Sequence, residues 1–206
     1  MYHVNPETGE VRICYAKNPE TCPFGCENHS DKFEIIQIKA DKINKRKRLS
    51  YEDSINIINS DECEISNVIF DKYSINFDDV YKAFSGRTFN NTDFSKINFI
   101  NFNIENATFN KCIFPNWIDN TSFINTNFNN CDFTNANDTR DISFKKCILN
   151  KCAFSHFSYF DYAVISDTEF NQCEWNGFFI RNSKLYNTKF NDKEDDKISI
   201  INYEDD

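Results

Sequence analysis

Bulky apolar residues recur at every fifth position through the second half of the chain, beginning Phe94, Phe99, Ile104, Phe109, Phe114. The beat continues through Phe123, Phe128 and Phe133, then Phe144, Leu149 and Phe154, then Phe160, Ile165, Phe170, Trp175, Ile180, Leu185 and Phe190. Two residues earlier runs a second register, mostly small: Thr92, Ala107, Cys112, Thr121, Thr126, Cys131, Cys147, Cys152, Ser158, Ala163, Thr168, Cys173, Ser183 and Thr188. Its larger members are Ile97, Phe102, Ile142 and Phe178. A period of five matches neither a helix, at about 3.6, nor the alternation of a lone strand. It matches a chain that turns a corner every five residues, with both registers pointing inward and Asn, Asp, Ser and Lys facing water.

Four such faces make a coil of about twenty residues, and coils stacked at about 4.8 Å would form a rod of five to six coils, about 25 Å long. The beat slips three times: one residue is missing between Phe114 and Phe123, and one is extra between Phe133 and Phe144 and between Phe154 and Phe160. Loops or bulges are expected at 115–120, 135–141 and 155–159.

The segments NTDFS, NATFN, NCDFT, KCAFS and NTKFN carry a resemblance to the pentapeptide-repeat family, covering residues 88–191. That resemblance implies an all-β solenoid, a right-handed quadrilateral β-helix with Phe or Leu at the central position. It also implies association through the C-terminal end, and in some members imitation of duplex DNA to bind gyrase or another topoisomerase.

Around the rod the pattern breaks into three further parts. Residues 1–50 form an irregular element with a strand-like run at 33–38 and a basic run, KINKRKR, at 42–48. The basic run reads as a solvated linker or as a phosphate-contacting patch. Residues 51–87 form an acidic N-terminal cap, either a helix or an irregular first coil, and 192–206 an acidic tail whose Ile198, Ile200, Ile201 and Tyr203 either cap the rod or seal a homodimer. The opening string through Cys14 to CPFG resembles an N-terminal element of small phage and mobile-element proteins.

Charge narrows the function. The chain carries −9 overall, but the residues from 84 to 190 sum to zero, with −6 on 51–83 and −5 on 191–206. A rod imitating DNA should be acidic along its length, so neutrality counts against simple mimicry. The net charge also disfavours direct nucleic-acid binding. Four scattered glycines, Gly9, Gly25, Gly86 and Gly177, exclude a phosphate-cradling loop. With neither a long apolar run nor a signal-peptide order, the chain reads as cytoplasmic, and its nine cysteines as mostly free thiols.

Candidate chemistry is sparse. Cys14, Cys22, Cys26 and His29 could hold a tetrahedral zinc in an N-terminal module with a nucleic-acid-binding role; unligated thiols beside a hydrogen-bonded imidazole fit as well. The cysteines of the repeat are packing residues. His3, His29 and His156 anchor no catalytic motif, so the chain reads as a non-enzyme. Tyr159, Tyr162, Phe179 and Tyr186 take outward slots, with Tyr159 and Phe179 one coil apart, and suggest a partner-binding patch. Asp61, Glu62, Glu64, Asp78 and Asp79 are the acidic candidates for the same role. The sequence thus points to an inhibitor or adaptor acting on a host nucleic-acid-handling protein, such as a CRISPR or restriction effector, with gyrase binding as the alternative.

Overall fold

The five-residue beat closes into a square, and the square repeats. In the computed structural model, which describes residues 2–5, 11–13, 28–32, 35–36, 40, 45–70, 83–155, 159–191 and 198–201, the chain divides at Lys47/Arg48 into two units. The second unit is a parallel β-solenoid of about six turns. Its first face stacks seven short strands, from Glu64–Ser66 through Thr88–Asn90, Thr108–Asn110, Asn127–Asn129, Ile148–Asn150 and Glu169–Asn171 to Lys189–Asn191. The third face stacks six, from Phe99–Ile100 to Ile198–Ile201, and the fourth five, from Asn103–Glu105 to Lys184–Tyr186. The second face is joined by single bridges from Ile69 to Ala153 and by the paired strands Ala153–Ser155 and Glu174–Asn176.

Each face hangs one central side chain inward per coil. Ile65, Phe89, Phe109, Phe128, Leu149 and Phe170 line the first face, and Phe70, Phe94, Phe114, Phe133, Phe154 and Trp175 the second, all buried. Rings in successive coils stack nearly parallel: Phe89 on Phe109 at 5.2 Å, Phe109 on Phe128 at 5.3 Å, Phe133 on Phe154 at 5.2 Å. The remaining faces mix ring and aliphatic, with Phe99, Ile118, Thr139, Phe160 and Ile180 on the third. Each ring so buried stabilises the column by about 1.5–3 kcal/mol.

Corners explain the asparagine content. The residue two past each central position adopts a left-handed φ, as at Asn67, Asn91, Asn101, Asn106, Asn120, Asn125, Asn130, Asn182 and Asn187. Asparagine enters that region at lower cost than most residues. The corner after the second face is built otherwise. There Asp93 and Asp132 accept from the backbone N–H of Ser95 and Thr134, both at 2.8 Å, and Ile97 and Ala136 close the turn onto Phe94 and Phe133.

All three slips of the beat fall at this one corner. The strands Trp117–Asp119 and Asp138–Arg140 occupy three residues of each of the stretches 115–120 and 135–141 expected to loop, so the irregularity there shrinks to the turns beside them; of 155–159, residues 156–158 lie outside the described residues. Ile118 and Thr139, which the five-residue count passes over, are the central residues of the third face in those coils.

The N-terminal end of the column is plugged. Ser50 caps the helix Tyr51–Asn59, its Oγ accepting from the N–H of Asp53 at 3.1 Å, with Glu52 and Asp53 favourably placed in the first turn. Ile58 joins the solenoid core, and the Arg87 guanidinium donates to the carbonyls of Ile57 (3.0 Å) and Ser60. Strands Glu64–Ser66 and Val68–Ile69 then begin the first coil, upstream of residue 88. Thus 51–70 holds both a helix and coil strands.

In the first unit, Tyr2–Val4 pairs antiparallel with Val11–Ile13 and with His29–Ser30. Ile35 and Ile36 are helical where a strand was expected over 33–38, and Ile36 is buried with Val4 and Ala40.

Candidate interaction surface

Inward positions of the column are spent on packing, and its backbone groups pair from coil to coil, so chemistry is left to the outward positions. These differ sharply among faces. On the first, Asn90, Asn110, Asn129, Asn150, Asn171 and Asn191 form one continuous amide ladder, each Nδ2 donating to the preceding Oδ1 at 2.6–2.9 Å. Its lower end closes on Glu64, which accepts from Asn90 at 2.7 Å. An amide so engaged has little left to offer a partner.

The third face has no such ladder. Trp117, Asp138, Tyr159 and Phe179 follow one another along one outward column, and Asp119, Arg140, Asp161 and Arg181 along the other. Tyr159 and Phe179 are in direct register. Arg181 Nη2 meets Asp161 Oδ2 at 3.1 Å, and the guanidinium lies over the Tyr159 ring at 4.1 Å. Asn182 donates to the other oxygen of Asp161 at 3.1 Å. Both charges are therefore engaged within the face, and what projects is aromatic: Phe179 is 37% exposed and Trp117 41%.

Tyr162 stands at the corner between the third and fourth faces with φ of 54°, and is 57% exposed. Val164, on the fourth face beside it, is also exposed, as is Tyr186 in the next coil. Of the four aromatics picked from the sequence, the structure puts Tyr159 and Phe179 together, Tyr162 at the corner, and Tyr186 on the adjoining face. Trp117, Val164 and the Asp161–Arg181 pair were missed. The shortened corner at Pro115 put Trp117 out of phase, whereas Val164 was legible as an apolar residue in an outward slot.

The acidic candidates lie elsewhere. Asp61, Glu62 and Glu64 are exposed at the N-terminal end of the column, several coils from Tyr159, while Asp78 and Asp79 fall outside the described residues. Cys14, Cys22 and Cys26 also fall outside them; the backbone of His29 pairs with that of His3, and among the described residues no three His, Cys, Asp or Glu converge as a metal site. Ile198, Ile200 and Ile201 belong to the last strand, which pairs with Phe178–Arg181; Tyr203 lies outside the described residues.

The cysteines line the two corners that bound the first face. Cys112, Cys131, Cys152 and Cys173 occupy equivalent places in successive coils, each Sγ donating to a carbonyl of the preceding coil at 3.3–3.6 Å. Burial raises the Cys131 thiol, and burial pushes Cys147, on the other corner, up to about 11. Cys131 and Cys147 are thus protonated packing residues at neutral pH.

No family model matches the chain, and no curated protein matches it. Among solved structures, a trypsin-treated variant of QnrB1, a plasmid-mediated fluoroquinolone resistance protein, is 17% identical over 66% of this chain and 79% of its own, with a TM-score of 0.29. Full-length QnrB1 is 12% identical over 66% and 88%, at 0.20. WceF of Pantoea stewartii, a glycan biofilm modifying enzyme with a bacteriophage tailspike-like parallel β-helix fold, is 13% identical over 64% of this chain and 25% of its own, at 0.30. Scores this low carry no argument about function, and the fold rests on the strand register itself.

Proposed function

We propose that this chain is a non-enzymatic binding protein, an inhibitor or adaptor of phage or mobile-element origin that grips a host nucleic-acid-handling protein. One observation carries the reading: Trp117, Tyr159 and Phe179 follow one another along one outward column of the third face, beside ions already paired with each other. A rigid column with a spent interior and one irregular face suits shape recognition. The acidic flanks suit a partner that normally holds nucleic acid, and a CRISPR or restriction nuclease of the host cytoplasm is the first class to test.

Imitation of duplex DNA for gyrase is the competing reading, and the third face speaks against it, because Asp119, Arg140, Asp161 and Arg181 alternate in sign along the axis. The pairing of Ile198–Ile201 with its own chain supports an intramolecular cap over a homodimer seam, and a monomer mass by sedimentation at micromolar concentration is expected.

The test sets purified protein against a panel of CRISPR and restriction nucleases and, separately, against gyrase supercoiling. Slowed DNA cleavage with unchanged supercoiling supports the reading. Inhibition of gyrase alone replaces it with the competing one, and no effect in either assay removes both.

A further inference from the structure

Left-handed corners of the column are filled by Asn, Asp, Lys, Gln or Gly at every described position but one. The exception is Tyr162. Its counterparts in neighbouring coils at the same corner are Asn120, Asp141 and Asn182. A bulky side chain there is strained, and at 57% exposure Tyr162 recovers little by packing. Strain held at an exposed ring points to use rather than to stability.

We infer that the partner docks on the ridge where the third and fourth faces meet, with Tyr162 at its crest, and that the partner offers an uncharged apolar cleft. This rests on the binding-protein reading above. Across the ridge the outward residues run Tyr159 and Phe179, then Asp161 and Arg181, then Tyr162, then Val164 and Lys184. The corner of a four-sided column is convex, so its complement is concave. Asp161 and Arg181 cancel at 3.1 Å, with a further hydrogen bond from Asn182 to Asp161, and Lys184 is left as the one surplus, positive charge among these ridge residues. A basic groove shaped for phosphates would find no net negative charge to meet, whereas an apolar cleft would bury the rings and leave the tyrosine hydroxyls to bond carbonyls at its rim.

Tyr162→Asn tests this in two ways. Alone, the variant should melt about 2–4 °C higher, since a residue suited to the corner replaces a strained one. A lower melting temperature would show that Tyr162 serves packing, and would overturn the inference. In the nuclease panel the variant should lose at least tenfold in potency, while Lys151→Asn, at the exposed left-handed corner between the first and second faces, keeps it. Potency of the unaltered protein should change less than threefold between about 50 and about 200 mM salt, unlike a phosphate-mimicking contact. Full potency of Tyr162→Asn, or a steep salt dependence, overturns the ridge and leaves the binding reading intact. If the unaltered protein inhibits nothing, the binding reading falls, and the inference falls with it, whatever the melting arm shows.

Discussion

The first face of the column carries six asparagines joined amide to amide, while the third carries Trp117, Asp138, Tyr159 and Phe179 in one outward column and alternating Asp and Arg in the other. The strands beneath differ too. Every neighbouring pair on the first face is aligned over three residues, whereas on the third the strands Asp138–Arg140 and Tyr159–Asp161 share only the pair Arg140 and Asp161. At that break Thr139 occupies an inward position, its hydroxyl donating to the Tyr159 carbonyl. One fold thus supports a self-satisfied face that holds the coils in register and a broken, aromatic face free to vary. The difference teaches where to look for function: where the repeat stops satisfying itself.

The largest test of that contrast is its common foundation. Phe128→Asp, beneath the first face, places an unpaired charge in an apolar interior and should abolish cooperative unfolding by circular dichroism, a loss above about 4 kcal/mol. A folded variant would mean that the interior does not underlie either face.

An alkaline melt comes next, because the buried thiols sit at the two corners of the first face and not at those of the third. The Cys147 thiol is raised in the fold from 9.0 to about 11 by burial. The stability linked to its protonation is fully present below about pH 9 and is lost as pH rises through about 11, for roughly 2–3 kcal/mol. Cys147→Ala should melt with a shallower decline over that window, and an unchanged slope would remove the assignment.

Removing one rung is a smaller change. Asn150→Ala deletes its bond to Asn129 and the one it accepts from Asn171, both 2.9 Å, and should cost about 1–2 kcal/mol in chemical denaturation. Smallest is Arg140→Ala on the third face. Its pair with Asp138, at 3.4 Å and side-chain exposures of 58% and 38%, should be worth under about 0.5 kcal/mol. Equal costs for the two substitutions would erase the distinction between the faces.

Much of this architecture was legible because the repeat is local. Eighteen positions kept the beat without reference to any distant residue, and the structure buries the rings they named, except at the C-terminal end, where Leu185 and Phe190 are only partly covered. Ile118 and Thr139 escaped the count because the preceding corners, after Phe114 and Phe133, are one residue short and one residue long. Asn129 illustrates the opposite limit. By pattern it is an outward residue that could become Asp freely, yet it both donates to Asn110 and accepts from Asn150, and a carboxylate could do only the second.

The period by itself determined the four-sided coil and the inward register, since each follows from the conformational preferences of residues close together in the chain. Tertiary stacking alone decided which outward residues became neighbours, because contacts between coils join residues about twenty apart and depend on where each slip is absorbed. The same stacking made the first-face asparagines into a closed ladder, paired Arg181 with Asp161, and left Tyr162 strained at an open corner. Those are energies of register, and a register exists only once the coils lie on one another.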